Sequence, residues 1–442
     1  MKSSLPMTAL ILAVSAGLVP ASIIRVDVSG AGDYATIMEG VAAAGAGDTV
    51  LVAPGTYTGA LNREIDLDGK SIAVLSESGR NSTIIDCQHA GRAFIFQSRE
   101  NENAVVQGFT IANGFVTTGA GGSQHGEGGG IWCAMSSPRI LECAFTGNSA
   151  DFGAAIFCGM EAWPDIEYCT FSENEASAYG GGIYTYNARA YVMECDFTGN
   201  HAVINGGGIS IKEGTIAKVL SCRFERNSAS EGGAIYVGTM LGDPGEEEPE
   251  YSTIGFSSFL DNTADRGGAV FLNSYSWVTT MWCTFARNSA DEGGGLFGLT
   301  EARGELVVQN CTFCFNHGES GGAICVGGTS PFNELAVLNS ILAFSTRGRS
   351  LHRLDWGLVT TTNCLAYGNE GGDVLFGAPH LFVDPLFCDA YADNFNLCLS
   401  SPARNFNGYL LGSCRQSCSP PAFLCNSPVR ETSWGSIKAM FR

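Results

Sequence analysis

One motif recurs along this chain and leaves few folds open to it. Phenylalanine stands at 145, 171, 197, 224, 259, 285 and 313, and an asparagine follows each by three residues, from Asn148 to Asn316. Cysteine precedes each phenylalanine by two, at 143, 169, 195, 222, 283 and 311, with Ser257 as the one replacement. A small-residue run ending in an aliphatic comes next, at Ile156, Ile183, Ile209, Ile235, Val270, Leu296 and Ile324, with Ile131 opening the series. The phenylalanine steps are 26, 26, 27, 35, 26 and 28 residues. A period in this range marks stacked repeats that share one core.

Apolar residues two apart, as in Cys195-Asp196-Phe197 and Ile235-Tyr236-Val237, have strand spacing. A further aliphatic lies three residues before the cysteine, as at Ile140, Ile166 and Val192, so each unit holds three short strands. A helical solenoid would need apolar residues at three- and four-residue spacing over longer runs. The 58 glycines would weaken such helices throughout. A propeller blade needs about 40 residues. The pattern therefore predicts an all-β fold: a single right-handed parallel β-helix, about 4.8 Å per turn, with a short N-terminal capping helix. Phenylalanines stack inside it, and asparagine amides ladder along one corner. Asparagine also suits a left-handed turn residue there, since it tolerates positive φ.

Residues 1–21 read as a signal peptide: Lys2, an apolar run from Leu5 to Val19, then small residues before cleavage after Ala21. Residues 22–412 form the coil, with a cap at 22–57, regular repeats at about 128–326 and degenerate closing turns at 327–412. Within the cap, Ile37 and Val41 have helical spacing over Tyr34–Ala44, and Asp33 is placed to cap the helix. Asp384-Pro385-Leu386-Phe387 and Asn394–Leu397 read as the last turn. Residues 413–442 are a Cys/Ser/Pro linker and a short tail. No later run is long and apolar enough to span a membrane. The expected location is therefore secreted or at the cell surface.

The net charge of −20 speaks against nucleic acid, whose binding needs a basic face. The repeat cysteines point inward as small hydrophobes. Cys388, Cys398, Cys414, Cys418 and Cys425 lie outside the repeat and suit disulfides in an exported chain.

Three surface columns carry the candidate chemistry. Between cysteine and phenylalanine only Asp196 and Arg223 are ionisable, flanked by Glu142, Glu194 and Glu225. One turn apart, they read as a surface ion pair or as a catalytic pair. Beside the aliphatic column stand Trp132, Phe157, Tyr184, Tyr236, Phe271 and Phe297, with Ser210 and Cys325 completing the series. Such rings serve as a stacking ladder, or as a strip on which sugar rings or a partner dock. Asp151, Asp265, Asp291 and Glu319 follow the asparagines and read as a solvated corner or as calcium ligands between turns. No other cofactor is expected.

Phe-x-x-Asn with Gly-Gly-Ala/Gly-Ile, from Gly128 to about Val326, resembles the repeats of the polymorphic outer-membrane protein family of bacterial adhesins. Asp48-Thr49-Val50-Leu51-Val52 with Pro54-Gly55-Thr56-Tyr57 resembles the N-terminal opening of secreted pectin-lyase-like proteins. Asp384-Pro385-Leu386-Phe387 with Ser401-Pro402-Ala403 resembles their exit. Unlike those adhesins, the chain has no series of alternating ten-residue strands after its repeats. The resemblance implies an adhesin-like recognition body for carbohydrate or another cell-surface macromolecule. Its alternative is a polysaccharide lyase or glycoside hydrolase, with carboxylates and a basic residue on adjacent turns. Sparse ionisable positions favour recognition over catalysis.

Overall fold

The computed structural model describes residues 21–118, 126–238, 251–273, 276–300, 304–328, 334–413 and 417–418. The proposed signal peptide and the tail from Thr432 lie outside them, as does the acidic loop around Glu246.

The chain winds as a parallel β-solenoid. A representative turn runs from Arg139–Leu141 through Ala144–Thr146, a short strand Ser149–Phe152 and Ile156–Gly159, and re-enters the first sheet at Asp165–Glu167. Like strands stack into three long sheets. Sheet A, which holds Arg139–Leu141, and sheet B, which holds Ala144–Thr146, have 13 strands each, and sheet C, which holds Ile156–Gly159, has 11. Every pairing within them is parallel and in the register of the repeat, such as Phe171 on Phe197 and Ile183 on Ile209. The irregular early segments join the same stack, with Thr110–Ala112 paired to Ala144–Thr146.

Alternation explains the interior. Phe145, Phe171, Phe197, Phe224, Phe259, Phe285 and Phe313 are wholly buried and form one column. Their ring centroids are 4.4–5.0 Å apart and their planes within 9° of parallel. The repeat cysteines are buried and unbridged. Their column tolerates serine for a specific reason. Cys169 N–H donates to Cys195 Sγ of the next turn, and Cys222 N–H donates in the same way to Ser257 Oγ at 3.0 Å. Outside the repeat, Cys388 is disulfide-bonded.

The asparagines build a buried ladder. Asn200 Nδ2 donates to Asn227 Oδ1 at 2.9 Å and to the Phe171 carbonyl at 2.9 Å. Its Oδ1 accepts from Asn174 Nδ2 and from the Asn174 backbone N–H. The same pattern joins every step from Asn148 to Asn316. Asparagine is not the left-handed residue of this corner, contrary to expectation. Positive φ falls on the residue before it: Gly147, Glu173, Gly199, Arg226, Asp261, Arg287 and Phe315. A second left-handed residue turns the chain from sheet A into sheet B, as at Glu142, Tyr168, Glu194 and Ser221.

One α-helix occurs among the described residues, α1 (Ile37–Ala43), and it covers the N-terminal end. Thr36 caps it rather than Asp33, accepting from Glu39 N–H while donating to Glu39 Oε2. Asp33 is instead engaged by the Arg25 backbone N–H.

The other end departs from the expected closing turn. The last rung of sheet B is His380–Leu381. The following chain then folds back along the outer face of that sheet. Phe395 packs on Leu260, Ala286 and Cys314, while Leu397 and Leu411 pack on Ile341 and Leu365. Arg287 ties this strap down by pairing with both Asp261 and Asp393, and Ser413 N–H donates to Thr312 Oγ1. The cause lies in the outward residues. Late turns of sheet B present Leu260, Ile341 and Leu365 there, and such an apolar face needs a cover.

Candidate functional site

The strap divides the outer face of sheet B. Its late turns are apolar and covered. The earlier turns present, in register, Ala144, Thr170, Asp196, Arg223 and Ser258. A polar trough remains, open between the strap and an excursion at Ser78–Asn81. Beside the corner that leads into it lies a cleft of about 440 Å³, lined by Ser78, Gly79, Arg80, Asn81, Glu142 and Tyr168.

Asp196 and Arg223 are adjacent rungs, yet they form no ion pair. Arg223 turns to Glu225 of its own strand, Nη2 to Oε2 at 2.5 Å, and Arg226 grips the other oxygen at 2.8 Å. Two residues along a strand share one face, so Glu225 competes successfully for the guanidinium. The Asp196 carboxylate is left without a hydrogen-bond or ion-pair partner among the described residues, although its backbone N–H donates to the Cys169 carbonyl. Its side chain keeps an exposed edge, but the surrounding protein still pushes its carboxyl above the ordinary range, against the pull of Arg223 and Arg80.

Arg80 was not legible from the repeat. It comes from the irregular early turns, and its Nη1 donates to the carbonyls of Tyr168 at 2.7 Å and Cys143 at 3.2 Å. These bonds fix a cation at the mouth of the trough. Glu194 is also pushed up, by burial and by Glu167. Burial and the glutamates Glu194, Glu167 and Glu142 raise the Tyr168 phenol. The trough therefore combines a carboxyl pushed above its ordinary range with anchored guanidinium donors and several hydrogen-bonding side chains.

The aromatic column is present but not exposed, which corrects its reading as an open strip. Trp132, Phe157, Tyr184, Tyr236, Phe271 and Phe297 are each 8% exposed or less. They form two ladders, with Phe271 stacked between Tyr236 at 5.3 Å and Phe297 at 5.1 Å. Residues of the neighbouring corner close over them: Phe152 and Tyr179 lie against Tyr184, and Arg266 lies over Phe271 and Phe297. Outward direction did not mean access, because this corner protrudes beyond sheet C.

Ser210 breaks the column, and Lys212 fills the gap. Its Nζ lies 4.4 Å from the Tyr179 ring centre and 4.1 Å from that of Tyr236. Burial lowers its pKa from 10.5 to about 8, against the opposing pull of Glu231 and Glu213. A depressed lysine pKa penalises the folded state fully below pH about 8, and the penalty fades as pH rises to 10.5. Lys212→Met should therefore flatten a local rise in stability between those values. Thermal melts of both proteins across that window test this; parallel profiles would show that Lys212 titrates normally.

The proposed calcium ligands do not converge. Asp151 accepts from Thr118 N–H and Ser177 Oγ, and Asp265 accepts from Ser230 Oγ. Glu319 pairs with Arg347 at 2.7 Å. Asp291 stands one rung from Asp265, joined through its backbone N–H to the Asp265 carbonyl. Among the described residues no group of three His, Cys, Asp or Glu side chains is placed to hold a metal ion.

Stacked parallel rungs around one core, with a polar groove along one face, define a β-solenoid protein. Residues 124–241 and 154–384 match the family described as the right handed beta helix region, and the chain belongs to that family. No curated protein matches it significantly. Among solved structures it is similar to ORF18 of Geobacillus virus E2, at 12% identity and a TM-score of 0.35. That match covers 78% of this chain and 60% of the viral protein, so the chain spans less than two thirds of that protein's length. It is also similar to pectate lyase Pel9A, at 14% identity and a TM-score of 0.37, covering 90% of this chain and 96% of the lyase. No described helix is long and apolar enough to cross a membrane.

Proposed function

We propose that this is an exported β-helix protein that holds an extended, hydroxyl-rich polymer, a polysaccharide, along the open part of sheet B. The supporting observation is the unpartnered Asp196 in a polar trough between Arg80 and Arg223. A carboxylate with free lone pairs and fixed guanidinium donors suits vicinal hydroxyls. The trough runs along the stack, so successive rungs meet successive units of a linear chain. On this reading recognition belongs to sheet B rather than to the buried aromatic column.

Cleavage is the second reading, and the upward shift of Asp196 favours it. A carboxyl titrating nearer neutrality can take a proton from a sugar carbon or oxygen, or return one to a leaving group. One experiment separates the readings. Mature protein, beginning at Ser22 if export proceeds as proposed, is tested against a polysaccharide panel for binding and for product release. Asp196→Asn should weaken binding about tenfold or more, from the loss of a charged hydrogen bond of roughly 1.5–3 kcal/mol. Product release that disappears while binding persists would make the protein an enzyme. Binding unaltered by Asp196→Asn would remove the trough as its site.

A further inference from the structure

Where the strap turns over the last regular corners, its residues and theirs enclose a second pocket, of about 290 Å³. Its walls are aromatic. Tyr391 stacks on Phe315 at 5.0 Å, Phe315 lies 5.7 Å from Phe344, and Phe387 meets Phe344 edge-on at 6.4 Å. Two carboxylates stand at its rim. Asp384 Oδ1 accepts from Leu386 N–H and Asp389 Oδ1 from Ala392 N–H. Each keeps a second oxygen uncommitted, and neither meets a cation among the described residues. Tyr391 is 91% exposed although its ring is stacked, so its outer face is open to solvent.

Phe315 and Phe344 occupy left-handed corner positions, with φ of 56° and 55°. The corresponding corners of earlier turns carry Gly147, Glu173, Gly199 and Arg226. Packing against the strap accounts for an apolar ring at these corners. It does not account for an exposed tyrosine beside two unpaired carboxylates in a chain of net charge −20.

We propose that this pocket binds an organic ammonium group. Aromatic faces attract a cation through their negative quadrupole, most strongly when a poorly hydrated cation is partly desolvated. The rim carboxylates supply the countercharge. A hard metal ion fits less well, because it requires several oxygen ligands and the pocket offers two carboxylates among rings. The volume accommodates a single headgroup or side-chain end rather than a polymer, so the site is separate from the trough. The same chemistry is offered by a quaternary choline-type headgroup and by a primary amine of the lysine type.

Calorimetric titration of the full chain with choline, n-butylammonium and the uncharged tert-butyl analogue of choline tests the proposal. An ammonium ion should bind at least about tenfold more tightly than the uncharged analogue. Preference for choline would identify a quaternary group read by the rings, and preference for butylammonium a primary amine held by the carboxylates. Tyr391→Ala and Asp389→Asn should each weaken binding about fivefold or more with an unchanged melting temperature. Tyr391 is exposed, and asparagine retains the capping oxygen, so neither change threatens the fold. Equal affinity for the uncharged analogue, no ammonium binding, or affinity indifferent to both substitutions would overturn the proposal.

Discussion

Gly206→Ala should destabilise the protein by about 3 kcal/mol or more, since a strained left-handed backbone and a steric clash act together. Gly206 has φ +64°, and a Cβ there would lie 2.2 Å from the Ile209 carbonyl oxygen. That oxygen belongs to the backbone and cannot swing aside as a side chain does. The chain itself supplies the comparison. All eight equivalent corners carry glycine: 128, 153, 180, 206, 232, 267, 293 and 321. Two positions later, Ala155, Ala234, Ala269 and Ala323 are accepted. Gly208→Ala should therefore cost much less than Gly206→Ala. Urea unfolding of both variants measures the difference, and equal midpoints would show that the first corner relaxes freely.

Phe271→Ala should cost about 3–4 kcal/mol, in the range for deleting a buried aromatic ring. Phe271 is 1% exposed, flanked by Tyr236 and Phe297 and overlain by Arg266. Truncation leaves a void between two rings and strips the Arg266 guanidinium of one of its two aromatic contacts. Phe271→Leu keeps most of the volume and should lose less. Neither substitution should change polymer affinity in protein that remains folded, because the trough lies on a different sheet. A folded Phe271→Leu protein with impaired polymer binding would return the aromatic column to the candidate site.

The stack was legible because its determinants are local and recur in phase. Phenylalanine, asparagine and the glycine corner each superpose on their counterparts, so spacing alone implies register. Three features escaped for a common reason: they depend on where distant segments lie. Burial of Trp132 and Tyr184 depends on how far the corner bearing Phe152 and Tyr179 protrudes. The environment of Asp196 depends on Arg80, more than a hundred residues earlier. Arg223 differs for a local reason: the repeat compares neighbouring turns, whereas its partner Glu225 lies on its own strand. The strap breaks the period altogether. Its apolar partners Leu260, Ile341 and Leu365 are visible in the sequence, yet nothing local says that chain from beyond residue 381 returns to cover them.

The 35-residue step between Phe224 and Phe259 is eight or nine residues longer than the flanking steps of 27 and 26, yet Arg223 still pairs with Ser258 and Phe224 with Phe259. The extra length falls between the strands Ile235–Val237 and Ser252–Gly255 and leaves the rungs in register. Insertion is thus decoupled from core repair, and loop entropy rises only slowly with length. A lineage built on this coil can acquire or discard surface loops one turn at a time while inheriting the interior unchanged. Its surface can diversify faster than its fold.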